Sequence, residues 1–243
     1  MIKIIGRKPV LEAINSSEEI EVVYILYGQR GDAIDKIFSA AKKRGIKISQ
    51  LTSVKFEQLA KNENTQGVIA LKPSQSFWDL GELIDEAKKS TLPFLLLLDS
   101  IQDPHNLGAI LRSAECAGVN GVIITTNQSA PVNETVEKIS AGAVSHLKLC
   151  KVNNLARTIE DLKREGFWII GSHLNEKSKN YTELDYKMPL ALVVGNEEKG
   201  IRKLVSEHCD FLVKIPMKGK IDSLNVSVAS GVLLFEIIRQ RSN

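Results

Sequence analysis

The sequence predicts an α/β protein, a mostly parallel sheet covered by helices on both faces, with a smaller α/β unit ahead of it. Three observations predict it. Short apolar runs of strand length alternate with helical patterns along most of the 243 residues, as in chains that wind strands into a parallel sheet. One run, residues 94–98, is apolar without interruption, which suits a strand buried on both faces. The final helical pattern, residues 226–238, is apolar around most of its circumference, so its own domain and a second subunit are both candidates to cover it.

The elements follow in order. Residues 6–14 read as a short helix in which Pro9 sits early, where a missing N–H costs little. A strand is predicted at 20–27 and a helix at 32–44, where Ile34, Ile37, Phe38 and Ala41 recur at helical spacing and Gly45 stops the run. A strand at 46–51, a helix at 53–61 capped by Ser53 and a strand at 67–71 complete the first unit. The expected organisation is a small α/β domain at 1–73, a polar connection at 74–90 carrying a helix at 80–89, and a main domain at 91–243. In that domain strands are predicted at 94–98, 121–125, 148–152, 167–172, 190–194 and 211–215. Helices are predicted at 107–117, 134–145, 155–165 and 202–207, and a last one opens at Ser223-Leu224-Asn225 and reaches about Arg239.

Composition narrows the function classes. Apolar residues make up 43% and charged residues 25%, an ordinary globular balance. The longest apolar run, 92–98, contains Pro93 and is too short to span a bilayer, and the first residues lack a signal-peptide pattern. Cys116, Cys150 and Cys209 form no C-x-x-C and read as reduced thiols of a cytoplasmic protein. The four histidines lack ligand spacing, so no metal is expected. The net charge of +3 is mild, but residues 1–73 hold 12 Lys and Arg against 8 Asp and Glu. A basic excess at one end is compatible with a nucleic-acid partner.

In open α/β sheets ligands bind beyond the carboxyl ends of the strands. Three polar, glycine-bearing segments follow predicted strand ends. The first contains Asn106-x-Gly108-x-x-x-Arg112; Leu107, Ile110, Leu111 and Ala114 form an apolar stripe, with Gly108, Arg112 and Glu115 opposite. Asn106 is placed as the cap of this helix, and a surface pair between Arg112 and Glu115 is the plain alternative for the arginine. The second is Gly195-Asn-Glu197-Glu-Lys-Gly200, which is neither a dinucleotide fingerprint nor a Walker A loop. The third is Ile215-Pro-Met217, followed by Ser223-Leu224-Asn225-Val-Ser227 at the start of the last helix.

Together, in this order and spacing, the three segments resemble the motifs of the SpoU (TrmH-type) branch of the SPOUT RNA methyltransferases. The first unit is similar to the ribosomal-protein-like RNA-binding domain of the 23S rRNA guanosine 2′-O-methyltransferases, through Gly6-Arg7-Lys8-Pro-Val-Leu-Glu-Ala-Ile and Gln66-Gly67-Val68. One departure is Thr65, where many relatives have His. The resemblance implies a trefoil-knotted catalytic domain, S-adenosylmethionine as methyl donor, and a homodimer. It implies a catalytic set of Asn106, Arg112, Glu197, Ser223 and Asn225, and a cofactor set of Gly195, Ile215, Met217, Leu224 and Asn225. Arg7, Lys8 and Gln66 would meet RNA. The implied reaction is methyl transfer to a ribose 2′-hydroxyl, of a guanosine in ribosomal RNA. A tRNA ribose methyltransferase of the same branch and a non-catalytic RNA-binding or ribosome-assembly protein are the alternatives. Arg112 would act as base or as electrostatic clamp, and a side chain at position 195 would collide with the bound cofactor.

Overall fold

A computed structural model describes residues 2–16, 20–61, 63–72, 77–175, 178–196, 200–221 and 223–242. The chain divides between Ser76 and Phe77 into two compact units.

The first unit contains β1 (Ile2–Ile5), α1 (Arg7–Asn15), β2 (Val22–Leu26), α2 (Asp32–Lys43), β3 (Lys47–Leu51), α3 (Ser53–Ala60) and β4 (Val68–Lys72). The sheet order is β1-β4-β2-β3. Strand β4 runs antiparallel to both β1 and β2, and β2 is parallel to β3. The ends of β1, β2 and β3 and the start of β4 therefore lie together at one end of the sheet. Alternation divides the side chains between two faces. Val23 and Ile25 pack with Val10, Ile14, Ile34 and Ile37, while Val22 and Ile69 pack with Phe56 and Ala60. Strand β1 has four residues, too few to show a period, and is absent from the sequence expectation. Thr52, with extended backbone, occupies the N-cap of α3 in place of the expected Ser53, which is already helical.

The second unit runs α4 (Leu80–Ala87), β5 (Phe94–Asp99), α5 (Pro104–Cys116), β6 (Gly121–Thr125), α6 (Glu134–Ile139), β7 (Leu149–Val152), α7 (Leu155–Arg164), β8 (Trp168–Ser172), β9 (Lys179–Asn180), β10 (Leu190–Gly195), α8 (Lys203–Glu207), β11 (Phe211–Lys214) and α9 (Val226–Arg241). Its sheet has the order β7-β6-β5-β10-β8-β11-β9, with parallel pairing throughout the described strands. Strand β5 shows why it reads as a continuous apolar run. Phe94, Leu96 and Leu98 pack with Leu107 and Ile110 of α5 and Leu233 and Ile237 of α9. Leu95 and Leu97 point the other way, against Leu83 of α4 and Ile159 and Leu162 of α7.

Three expectations change. The connection at 74–90 is not a free linker beyond Ser76: Trp78 N donates to Leu149 O at 2.7 Å, and Leu83, Ile84 and Ala87 of α4 are buried. Helix α5 begins earlier than its apolar stripe, at Pro104, and its cap is Asp103 rather than Asn106. The Asp103 carboxylate accepts from His105 N at 3.0 Å and Asn106 N at 3.4 Å. The helix expected at 134–145 stops at Ile139, because Ala141 and Gly142 take left-handed backbone (φ 53 and 84). The last helix is not covered all round: Leu233, Leu234 and Ile237 are buried, but Val228 and Phe235 are 52% and 51% exposed. Among the described residues no helix is long and apolar enough to cross a membrane.

Candidate functional site

The carboxyl ends of β8, β10 and β11, the segment after β11 and the first turn of α9 enclose an open cleft of about 630 Å³. Its position beyond parallel strand ends is where such sheets bind ligands. Gly195, Ile215, Met217, Ser223 and Leu224 all line it, so segments two and three meet at one cavity. Ser172, His173 and Leu174, at the end of β8, line it too. Sequence reasoning missed them, although they follow a predicted strand and so meet the same criterion as the three segments.

The narrowness of the β10 end has a backbone cause. A Cβ on Gly195 would lie 2.2 Å from the carbonyl carbon of Gly200 and from Ile201 N. Gly200 N donates to Asn196 O at 2.8 Å, closing the turn. The glycine is therefore required by the loop's own backbone, before any contact with a ligand is considered. Glu197 lies outside the described residues.

The loop is clamped from β5. Asp99 is fully buried, accepts from Arg202 N at 2.8 Å and forms an ion pair with the Arg202 guanidinium at 2.7 Å. Asn196 Nδ2 donates to Ser100 O at 3.2 Å. A buried carboxylate satisfied by a backbone N–H and a guanidinium holds two strand-end loops in one geometry.

Segment one joins at the start of α9. Asn225 Nδ2 donates to Asn106 Oδ1 at 2.9 Å, while Asn225 Oδ1 caps α9 by accepting from Ser227 N at 2.9 Å. One side chain thus ends the last loop, starts the last helix and reaches across to α5. Gly108 does not share a free face with Arg112. It is buried against α6, where a Cβ would come 2.8 Å from the Ile139 side chain. Arg112 is exposed, and it forms no ion pair with Glu115. It does not line the cleft, and lies about 9 Å along the helix from Asn106 at the usual rise per residue. Burial raises the Cys150 thiol to about 11 and the Cys209 thiol to about 12, so neither offers a thiolate at neutral pH.

In the first unit, Arg7 N donates to Gln66 Oε1 at 3.2 Å and Arg7 Nε to Gln66 O at 3.0 Å, and Arg7 Nη2 donates to Gln29 Oε1. Lys8 beside it is exposed. Gln66 and Gly67 adopt left-handed backbone at the turn into β4.

Comparison with known proteins gives the same division of the chain. Residues 93–235 match the SpoU rRNA Methylase family, and residues 3–78 match the RNA 2′-O ribose methyltransferase substrate binding family. The chain is 38% identical over 240 residues to a putative TrmH family tRNA/rRNA methyltransferase, YacO, of Bacillus subtilis, covering 98% of this chain and 96% of that protein. The structure of an AdoMet-bound rRNA methyltransferase from Sinorhizobium meliloti superposes with a TM-score of 0.62 at 25% identity, covering 98% of this chain and 86% of that one. A TrmH/SpoU tRNA modifying enzyme from A. aeolicus superposes with a TM-score of 0.59 at 34% identity, covering 67% of this chain and 82% of that one.

Proposed function

The chain belongs to the SpoU rRNA methylase family and is an S-adenosylmethionine-dependent RNA methyltransferase, and we propose that it methylates the ribose 2′-hydroxyl of a guanosine in ribosomal RNA. The observation that carries the reading is the hydrogen bond between Asn225 and Asn106, which ties the first segment to the two that line the cleft. The ribosomal target draws support from coverage: the neighbour described as an rRNA methyltransferase matches nearly the whole chain, while the tRNA modifying enzyme matches only 67% of it. Transfer RNA is the second reading, favoured by the higher identity of that neighbour.

The cleft fits the cofactor. Strand-end backbone at Gly195 and Ile215 offers hydrogen-bonding groups for an adenine edge, and Val194, Ile215 and Leu224 offer apolar surface for its faces. When bound, S-adenosylmethionine would supply a sulfonium methyl, its bond to sulfur breaking as the bond to O2′ forms, with the hydroxyl proton passing to solvent water. Gly195, Ile215, Met217, Leu224 and Asn225 would hold it. Asn106, Glu197, Ser223 and Asn225 would orient the ribose. Arg112 is exposed, and a guanidinium keeps its proton at neutral pH. It would serve as a clamp on the target phosphate and a stabiliser of negative charge developing on O2′ rather than as a base. Arg7, Lys8 and Gln66 would hold RNA through its phosphates.

The same reading includes a trefoil-threaded main domain, a cytoplasmic location, and a homodimer that covers Val228 and Phe235 of α9. The test is a map of ribose methylation across total RNA, with and without the protein. Loss of one ribosomal guanosine 2′-O-methyl group is the expected result. Loss of a tRNA methyl group would replace the target, and an unchanged map would overturn the reading.

A further inference from the structure

Tyr27 directly follows β2, yet its ring is 75% exposed, more than any other aromatic ring of the described residues. Its backbone is fixed: Tyr27 N donates to Leu51 O at 2.8 Å, and Gly28 turns the chain behind it with φ 86. The ring therefore stands on the end of a sheet, not on a loose loop. The register places the neighbours. Leu26 N bonds to Gly67 O at 3.0 Å and Gly6 N to Val68 O at 3.1 Å, so Tyr27, the Gln66–Gly67 turn and Arg7 share this end of the first unit.

Charge at this end is complementary to RNA. Arg7 and Lys8 open α1, Arg30 precedes α2, and Lys55 lies in the first turn of α3; against them stand Asp32 and Asp35, and Asp32 is paired with Lys36 at 2.7 Å. Gln29, two residues from Tyr27, accepts from the Arg7 guanidinium, whose Nε bonds to Gln66 O. The Arg7 guanidinium is thereby held in one orientation at this end.

We propose that Tyr27 is a stacking platform for an unpaired RNA base, with Arg7, Lys8 and Arg30 engaging the flanking phosphates. A solvent-facing aromatic residue anchored by its backbone at a sheet end that also carries cations is an arrangement suited to single-stranded nucleotides, because every base offers a face to stack. A paired helix keeps its bases stacked on one another and gives such a ring nothing to take. The target is thus a loop or bulge rather than a continuous duplex. This rests on the reading of the first unit as the RNA holder.

The test measures binding of the full chain to a hairpin with an unpaired loop and to a fully paired duplex of equal length, over a range of salt. The wild type prefers the hairpin. Tyr27→Ala lowers hairpin affinity roughly 5- to 150-fold, leaves duplex affinity and the salt slope unchanged, and Tyr27→Phe restores the preference. The side chain is mostly outside the fold, so circular dichroism should match the wild type. Wild-type hairpin affinity in Tyr27→Ala, or full rescue by Tyr27→Leu, would overturn the stacking role alone. Salt-independent binding that also survives Lys8→Ala would instead overturn the reading of the first unit, and the proposal with it.

Discussion

Helices α5 and α9 pack on the same face of the sheet and each carries a motif at its start, yet the faces they leave open differ. On α5 the open side carries Arg112, a cation with hydrogen-bonding capacity in reserve. On α9 it carries Val228 and Phe235, which water solvates poorly. An exposed guanidinium is a reagent for phosphate and developing negative charge, whereas an exposed apolar stripe is a surface to be covered. On the proposed reading the two helices divide the work: α5 would present chemistry and α9 a contact for a second copy.

The division can be broken most severely within α9 itself. Leu234 is fully buried and its neighbour Phe235 is half exposed. Leu234→Glu should abolish folding or cost several kcal/mol, by burying an unpaired carboxylate. Phe235→Glu should keep the circular dichroism of the wild type and turn a particle of twice 26.9 kDa into a monomer by light scattering. A wild-type mass of one chain would remove the contact role from α9.

On α5, Arg112→Ala should reduce turnover on the order of 10²-fold or more, with cofactor affinity by calorimetry unchanged, since Arg112 does not line the cleft. Normal turnover would leave α5 without a chemical role. Gly195→Val supplies the opposite sign, losing cofactor affinity first because its side chain would displace the Gly200–Ile201 backbone. Wild-type affinity in that variant would detach the second segment from the pocket.

Arg241 tests what anchors α9 in place. It donates to Leu92 O at 2.8 Å, Tyr186 O at 3.0 Å and Met188 O at 2.6 Å, and its guanidinium lies 5.2 Å from the Phe94 ring centre. Burial lowers its pKa to about 10, so it remains charged at neutral pH. Arg241→Met should cost about 2–3 kcal/mol in denaturant unfolding, because three carbonyls lose a charged donor. The smallest effect should come from Asn225→Ala, about 1 kcal/mol from the lost cap of α9. Its loss of activity should exceed that of a cap alone and should overlap the loss in Asn106→Ala. Additive effects in the double variant would mean the bond between the two is incidental.

Much of the fold was legible in local pattern. The apolar runs marked β5, β6 and β10 to within a residue, because a strand buried on both faces has no polar alternation to confuse it. The motif spacing placed Gly195, Ile215, Met217, Ser223 and Leu224 at strand ends, where one cavity gathers them. By itself, then, the sequence determined the alternation of elements, the parallel sheet and the ligand-bearing strand ends, since each depends on neighbours within a few residues. Tertiary structure decided what depends on distant partners. Leu83, Ile84 and Ala87 became core only because α4 packs against β5, where Leu83 meets Leu95 and Leu97, and Trp78 bonds to β7. Gly195 is glycine because of the backbone five residues on, and Gly108 because of Ile139. Leu234 and Phe235 are adjacent and both apolar, and only packing against the sheet buries one and leaves the other exposed, because a helix turns consecutive side chains to different sides.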